Sequence, residues 1–307
     1  MSFKAISVGC AVPRGDFDAT VHSAFRSALN LRLNENDPLI TLTCGDAEFP
    51  QGIRIDAPSG FSFEIFYAGA AVSCREHILR CAAPALKIDL RGAARFYCDL
   101  PSLKADMTRP PAAAVWRRAW QILNERQIQS DAEIIARDLI HPNAPSRGAA
   151  TRRAGEAMRG LFDAARRYDC LAAAAPLRLL VGLGSGLTPS GDDLLVGYLA
   201  GLWCAVQGKN ERIRFISALE KELIGLSHRT NDISRSYLYH AAQGQVSSRL
   251  ANLAETLCRA DHSNISAAVW SAMQAGHASG MDAASGLLIG LANWADGDIA
   301  ALAGIIF

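Results

Sequence analysis

Polar and apolar residues alternate in two different ways along the chain, and the change falls near residue 108. Before it, short apolar-rich segments, some of them alternating with a period of two, predict β-strands. These segments are residues 38–44, 52–56, 61–67 and 85–90. Residues 21–33 and 74–83 of this part predict short helices. We therefore expect a β-rich N-terminal domain over residues 1–108.

Thr108-Arg109-Pro110-Pro111 breaks the pattern, and beyond it the apolar positions recur with helical spacing. Ser130-Asp131-Ala132-Glu133 has the form of a capping box, which predicts the start of a helix. Further helices are expected at residues 112–124, 152–168, 192–206, 210–226, 232–242, 247–259 and 263–275. The predicted fold class is α+β, with a larger, mostly α-helical C-terminal domain over residues 109–307.

Residues 194–206 are apolar almost all round, with Gly197 and Gly201 four residues apart. This pattern predicts a central helix with close neighbours on every side. Residues 190–202 also align without gaps with residues 279–291, sharing Ser-Gly-x-Asp-x-x-x-Gly-x-Leu-x-Gly-Leu. We therefore expect a buried central helix pair whose two N-terminal ends converge on one site. Simple helix capping and packing remain an alternative explanation of the repeated pattern.

Composition narrows the class of protein. Half of the 307 residues are hydrophobic, the net charge is +1, and no Lys/Arg-rich run occurs, which argues against nucleic-acid or membrane partners. No secretory signal and no apolar run long enough to cross a bilayer is visible, so we expect a cytoplasmic protein. The eight cysteines form no Cys-x-x-Cys and are expected to be reduced thiols.

Cys74-x-x-His77-x-x-x-Cys81 is the one spacing typical of metal ligands. On a helix these three residues would share roughly one face. No fourth ligand is evident, and buried cysteines in an apolar helix are the ordinary interpretation. We therefore predict no metal site from it.

The most informative segment is the Gly-rich loop, Gly182-Leu183-Gly184-Ser185-Gly186-Leu187-Thr188-Pro189-Ser190-Gly191-Asp192-Asp193. It precedes the predicted central helix, and N–H groups at such a helix start bind anions. It lacks the Gly-Lys-Ser/Thr of a Walker A loop, the dinucleotide spacing and the Gly-x-Ser-x-Gly elbow. We predict that it binds a ligand through Gly184, Ser185, Gly186, Thr188, Ser190 and Gly191.

Two adjacent carboxylates, Asp192 and Asp193, end this loop. Carboxylates in such a place could hold Mg²⁺ or meet a cationic or amide group, and we predict a catalytic role for both. The residues specify no cofactor, and Mg²⁺ is the one candidate.

Two other segments carry candidate residues. Thr230 and Ser234 are four residues apart and would share one helical face, although a helix cap followed by solvated side chains gives the same pattern. His277 precedes the second helix start and could act as a general acid or base, or be a surface histidine. The remaining predicted ligand-binding residues belong to that helix start: Ser279, Gly280 and Asp282.

Together, the loop at 182–193, Thr230-Asn231-Asp232-Ile233-Ser234 with Gly244, and Gly276-His277-Ala278-Ser279-Gly280-x-Asp282 with Gly286 resemble a known family. It is the domain-of-unknown-function family 2877, which includes the AllH-like subunit of oxamate carbamoyltransferase. The resemblance implies a place in allantoin and purine-nitrogen catabolism. It also implies partners, namely an FdrA-like subunit and a third subunit, and phosphorolysis of oxalurate to oxamate and carbamoyl phosphate.

The residues are compatible with this reaction, since helix starts and loop amides can hold an anion and stabilise a developing oxyanion. Asp192 or Asp193 would orient a carbamoyl NH₂ group or Mg²⁺, and His277 would move a proton. The expected ligands are a small anionic or ureide substrate and phosphate or carbamoyl phosphate. The alternative is a non-catalytic protein that binds a small carboxylate or ureide, or a scaffold, because no standard nucleophile–base pair is present. We favour the enzyme subunit.

Overall fold

The computed structural model describes residues 1–140, 148–276, 278–295 and 302. It divides the chain into two units, Met1–Cys98 and Asp99–Phe307. The boundary predicted at residue 108 stays a prediction, and the first helix of the second unit begins close to it, at Pro110. The α+β fold class is confirmed, because strands make up the first unit and helices the second.

Nine strands of the first unit form one sheet in the order β5-β4-β3-β2-β6-β7-β8-β1-β9, and an additional pairing of β5 with β1 closes eight of them into a ring. The unpaired edges of an open sheet are thereby removed. The strands are β1 (Ser2–Gly9), β2 (Phe17–Ala24), β3 (Ala28–Arg32), β4 (Ile40–Thr43), β5 (Gly52–Ile55), β6 (Ala71–Arg75), β7 (Ile78–Cys81), β8 (Leu86–Asp89) and β9 (Ala94–Phe96).

Strands β8 and β9 behave as one interrupted strand alongside β1. Both run parallel to β1, with Ser2 opposite Lys87 in β8 and Ser7 opposite Ala94 in β9. Residues 90–93 leave the sheet between them, with Gly92 at a φ of 77°. The strand pairing with β1 is therefore interrupted between Asp89 and Ala94.

Three sequence predictions in this unit are wrong. Residues 21–33 and 74–83 form the hairpins β2–β3 and β6–β7 rather than helices. In β2, Phe17, Ala19 and Val21 are buried while the residues between them are exposed, so the side chains follow a period of two. Residues 61–67 contain a short 3-10 helix, Phe63–Ile65, instead of a strand. The strands predicted at 38–44, 52–56 and 85–90 are confirmed.

The described part of the second unit contains ten α-helices, and those predicted at 112–124, 152–168, 192–206, 210–226, 232–242, 247–259 and 263–275 are confirmed with small changes at their ends. They are α1 (Pro110–Ile128), α2 (Ala136–Ile140), α3 (Ala149–Arg167), α4 (Cys170–Leu180), α5 (Ser190–Cys204), α6 (Asn210–Gly225), α7 (Asp232–Ala242), α8 (Ser248–Cys258), α9 (Ile265–Met273) and α10 (Ser279–Ala292).

The capping box predicted at Ser130–Glu133 is wrong. Residues 130–135 form a turn, and helix α2 begins only at Ala136. The Ser130 hydroxyl instead donates to the Gln127 carbonyl oxygen, and Gln127 in turn accepts from the backbone N–H of Ala136 through its side chain. Because the turn is held in this way, the Glu133 carboxylate does not cap a helix and contacts the Gly-rich loop instead.

Helices α5 and α10 form the predicted buried pair at the centre of this unit. Their glycines allow backbone contact: a Cβ on Gly197 would lie 1.8 Å from the Ala283 carbonyl oxygen, and one on Gly286 would lie 1.9 Å from that of Leu194. In the alignment of the two segments, Ala283 corresponds to Leu194 and Gly286 corresponds to Gly197. The contact of Gly197 with Ala283 and the contact of Gly286 with Leu194 are therefore equivalent. The two helices therefore run parallel and are related by an approximate two-fold axis.

Other helices pack around this central pair. Helix α1 packs on α9 and α10, and α6 packs on α4 and α5. The repeated sequence pattern corresponds to two parallel helices in mutual backbone contact, so the two similar helix starts lie at the same end of the pair. No helix within the described residues is long and apolar enough to cross a membrane.

Candidate functional site

The Gly-rich loop joins α4 to α5, and its backbone is shaped by three glycines with positive φ, at 182, 184 and 186. Two of them are required by close approach. A Cβ on Gly182 would lie 2.3 Å from the Arg229 carbonyl oxygen, and one on Gly184 would lie 2.8 Å from the Ser190 nitrogen. Gly186 faces open space, so only its φ of 92° demands glycine there.

Residues 184–187 of the loop are exposed, and several of their backbone N–H groups are available to a ligand. Within the described part of the chain, no hydrogen bond is donated by the backbone N–H of Gly184, Gly186, Leu187 or Thr188. Free N–H groups next to a helix start are the donors that bind oxyanions. The geometry is thus compatible with the predicted anion-binding loop.

Glu133 fixes one side of this loop, a role that the sequence did not indicate. Its carboxylate accepts a hydrogen bond from the Ser185 hydroxyl at 2.7 Å and another from the Ser185 backbone N–H at 3.3 Å. Asn231 fixes the other side, since its side-chain amide donates to the Leu187 carbonyl oxygen at 2.9 Å. The exposed tip is therefore held between two segments far away in the sequence.

Asp192 is buried and holds the base of the loop. One carboxylate oxygen accepts from the Gly182 backbone N–H at 2.8 Å, and the other accepts from the Thr230 hydroxyl. Burial raises the pKa of Asp192, while Thr230, the Gly182 N–H and Ser234 lower it. Both of its oxygens are thus engaged inside the protein, which favours a positioning role over direct contact with substrate.

Asp193 has a different environment. Burial raises its pKa to about 7, and the charge of Asp192 adds to this, while the hydroxyls of Ser279 and Thr188 oppose it. Those two hydroxyls are themselves 2.7 Å apart. The second carboxyl oxygen, Oδ2, is buried and has no hydrogen-bond partner among the residues that the structure describes. A carboxyl group with this pKa exchanges protons near neutral pH, as a general acid or base must.

Asp282 occupies the position in α10 that Asp193 occupies in α5. The carboxyl group of each helix start interacts with a serine of the other helix start. Ser279 of α10 acts on Asp193, and Ser190 of α5 acts on Asp282. Burial raises the pKa of Asp282 well above its usual range, and the charges of Asp193 and Glu133 raise it further. The prediction that the two helix starts converge is confirmed, and it follows directly from the two-fold relation of α5 and α10.

Thr230 and Ser234 both lie near Asp192, but they do not share a helical face as predicted. Helix α7 begins at Asp232, with Asn231 as its N-cap, so Thr230 lies before the helix in extended backbone. Its hydroxyl reaches Asp192 from there, while the buried Ser234 hydroxyl acts on the same carboxylate from the first turn. Tyr237, one turn further, was not predicted; burial and the charge of Asp193 raise its pKa to about 12.

Gly191 and Gly280 serve close packing. A Cβ on Gly191 would lie 2.2 Å from the Leu180 carbonyl oxygen, and one on Gly280 would lie 2.3 Å from that of Ala272. Their predicted part in ligand binding stays a prediction. The candidate acid–base residue His277 lies outside the described residues.

Metal ligation finds no support in the described ranges, where no group of three or more His, Cys, Asp or Glu residues is arranged to hold an ion. Cys74 lies on β6, Cys81 lies on β7, and His77 lies in the turn between them, because this segment is a hairpin rather than a helix. Burial raises the pKa of the Cys74 thiol, which disfavours the thiolate that a metal requires.

Two family profiles match the chain. One, described as the AllH family N-terminal domain, covers residues 4–95, and the other, described as oxamate carbamoyltransferase subunit AllH, covers residues 180–291. The chain belongs to the AllH family. The second AllH match begins just before the Gly-rich loop and ends in α10, so it contains both helix starts and the Thr230–Ser234 segment. No solved structure matches the chain.

Proposed function

We propose that this chain is the AllH-type subunit of a carbamoyltransferase that binds a small anionic or ureide substrate at the Gly-rich loop. The family description, oxamate carbamoyltransferase subunit, supports the reaction class. The proposed reaction is phosphorolysis of oxalurate to oxamate and carbamoyl phosphate, in allantoin and purine catabolism. The proposed partners are an FdrA-like subunit and a third subunit.

The observation that carries this proposal is the position of Asp193. Its carboxyl group, with a pKa of about 7, lies where two helix starts converge, behind a loop whose tip has free N–H groups. Carbamoyl transfer needs donors for an oxygen that gains charge and a group that moves a proton at neutral pH. The site offers both within a few residues of each other.

In the proposed mechanism, a phosphate oxygen attacks the carbamoyl carbon of oxalurate and a tetrahedral intermediate forms. Loop N–H groups, those of Gly186 and Thr188 among them, donate to the oxygen that becomes negative. The carbon–nitrogen bond then breaks, and the departing oxamate nitrogen receives the proton that hydrogen phosphate released. Asp193 carries this proton from the phosphate to the nitrogen, which leaves the carboxyl group in its initial state.

The other candidates take supporting roles in this proposal. Asp192 positions the loop through Gly182 and Thr230, and Ser279 and Thr188 orient the Asp193 carboxyl group. His277 remains a candidate for a second proton transfer. Asp192 is not proposed to hold Mg²⁺, because both of its carboxylate oxygens already accept hydrogen bonds.

Ligand binding by the full chain tests the proposed site. We expect isothermal titration calorimetry to detect oxalurate or phosphate, and Gly186→Ala to weaken that binding at least about fivefold, because a Cβ strains the loop at a φ of 92°. Gly208→Ala is the matched control, since Gly208 also has a positive φ and faces open space, but lies after α5. Equal affinities of the two variants would place the ligand elsewhere.

A further inference from the structure

A separate cavity of about 530 Å³ lies in the first unit, at the interruption between β8 and β9. Its apolar wall comes from Val8 of β1, Pro13, and Leu90 and Ala93 of the segment that leaves the sheet. The volume falls within the range of small-molecule sites, about 300–1,000 Å³. Nothing in the proposed carbamoyl chemistry uses this cavity.

The polar wall of the cavity is cationic. Three arginines line it, and only Arg91 is neutralised, by a two-pronged contact with Asp89 at 2.9 and 2.7 Å. Arg14 and Arg95 have no carboxylate partner among the residues that the structure describes. Guanidinium groups without a counter-ion are the usual receptors of phosphate and carboxylate.

The Arg95 guanidinium group has N–H donors available to an anion. Within the described ranges, its Nη2 donates to the Val12 carbonyl oxygen at 3.5 Å, and its buried Nε has no hydrogen-bond partner. A buried donor without an acceptor costs about 1–3 kcal/mol. A bound anionic group would provide that acceptor and remove the cost.

An aromatic ring completes the cavity. Tyr97 is 60% exposed, and its hydroxyl accepts a hydrogen bond from Arg14 at 3.1 Å. This contact fixes the arginine beside an open ring face, with the His77 imidazole also on the lining. A planar ring can stack there while the guanidinium groups hold an anion, as in many nucleotide sites.

We propose that this cavity binds a phosphorylated small molecule that carries a planar ring, of the size of a mononucleotide. The two uncompensated arginines receive the phosphate, and Tyr97 and the apolar wall receive the ring. A nucleic-acid chain fits less well, because the net charge of the protein is only +1 and the sequence contains no Lys/Arg-rich run.

Calorimetric titration of the full chain with AMP tests this proposal. We expect AMP to bind, and adenosine and inorganic phosphate, its two parts, each to bind at least tenfold more weakly. Arg14→Ala should weaken AMP binding about tenfold or more, and Tyr97→Phe, which keeps the ring, should weaken it less than Tyr97→Ala. Arg26→Ala, an exposed arginine outside the cavity, should leave the affinity unchanged.

Three outcomes would overturn the proposal: no AMP binding, equal affinities of the parent and Arg14→Ala, or citrate binding more tightly than AMP. Arg14 is exposed, so its replacement is not expected to unfold the chain, and thermal unfolding of each variant verifies this. AMP bound at the Gly-rich loop instead would be weakened by Gly186→Ala and not by Arg14→Ala. The two sites are therefore distinguished by the same titrations.

Discussion

At the scale of residues, the candidate site depends on a carboxyl group that the fold keeps partly protonated. Asp193 has a pKa of about 7 in the folded chain against an ordinary 3.8, and burial is the main cause. Between about pH 4 and pH 7 the folded state therefore binds a proton that the unfolded state releases. The free energy of unfolding falls over this window as the pH rises, and the effect is complete above it.

Asp193→Asn removes this pH dependence, because an amide does not ionise. We expect the variant to gain stability relative to the parent as the pH rises from about 4 to about 8, reaching about 2–4 kcal/mol at the upper end. Urea unfolding at several pH values measures the difference. Asp163→Asn, on the exposed surface of α3, should show none. A constant difference for Asp193→Asn at all pH values would mean that the carboxyl group is charged when folded.

The sequence pattern predicted the site residues that lie on the Gly-rich loop or at the start of α10, which repeats the pattern of the α5 start. Asp193, Thr188 and Ser279 belong to motifs with visible glycines and short spacings. Glu133 and Tyr237 were missed, because their tasks depend on contacts that only the tertiary structure creates. The Glu133 carboxylate holds Ser185, 52 residues away in the sequence. Thr230 and Ser234 were predicted to share a helical face, but only Ser234 lies on α7, and both act on Asp192.

At the scale of elements, the parallel pair α5–α10 determines where the two helix starts meet. Gly197→Ala and Gly286→Ala should each destabilise the protein by about 2–3 kcal/mol or more, because the added Cβ meets a backbone carbonyl oxygen that no side-chain rotation can move. The two effects should be similar, since the positions are related by the two-fold axis. Denaturant unfolding measures both.

Gly225→Ala is the control, because Gly225 ends α6 and a Cβ there meets nothing within 4 Å. Its replacement should be neutral or slightly stabilising, as alanine favours helices over glycine. If Gly197→Ala or Gly286→Ala were equally neutral, the two helices would not be in backbone contact.

The elements show which patterns can be interpreted from sequence. Long helices with a clear apolar face, such as α6 and α8, were predicted, whereas α4 was missed because Pro176 suggests a break. Its buried Ala173, Leu177 and Leu180 nevertheless lie on one face. Residues 24–31 are rich in helix-forming residues, and they favoured a helix where the hairpin β2–β3 is found. The alternation of the apolar Phe17, Ala19 and Val21 with polar residues indicates a strand instead. Tertiary pairing outweighs local propensity in such short segments.

At the scale of the whole molecule, the chain combines two units that each carry their own candidate site. Both units match profiles of the AllH family, whereas residues 96–179, which include α1, α2 and α3, match neither. The closed sheet could not be predicted from the sequence, because closure depends on β5 pairing with β1, about 50 residues apart. The central helix pair could be predicted, because residues 190–202 and 279–291 share a visible pattern of glycines and apolar residues.

Phosphate-dependent turnover of oxalurate by the assembled complex tests the central claim most directly. With Asp193→Asn in this subunit, we predict a fall in kcat of about 100-fold or more, because general acid–base catalysis contributes on that scale. The parent complex should also show an apparent pKa near 7 in its rate profile, in keeping with the value for Asp193. Asp163→Asn should leave kcat unchanged. Unchanged turnover in the Asp193→Asn complex would contradict the account.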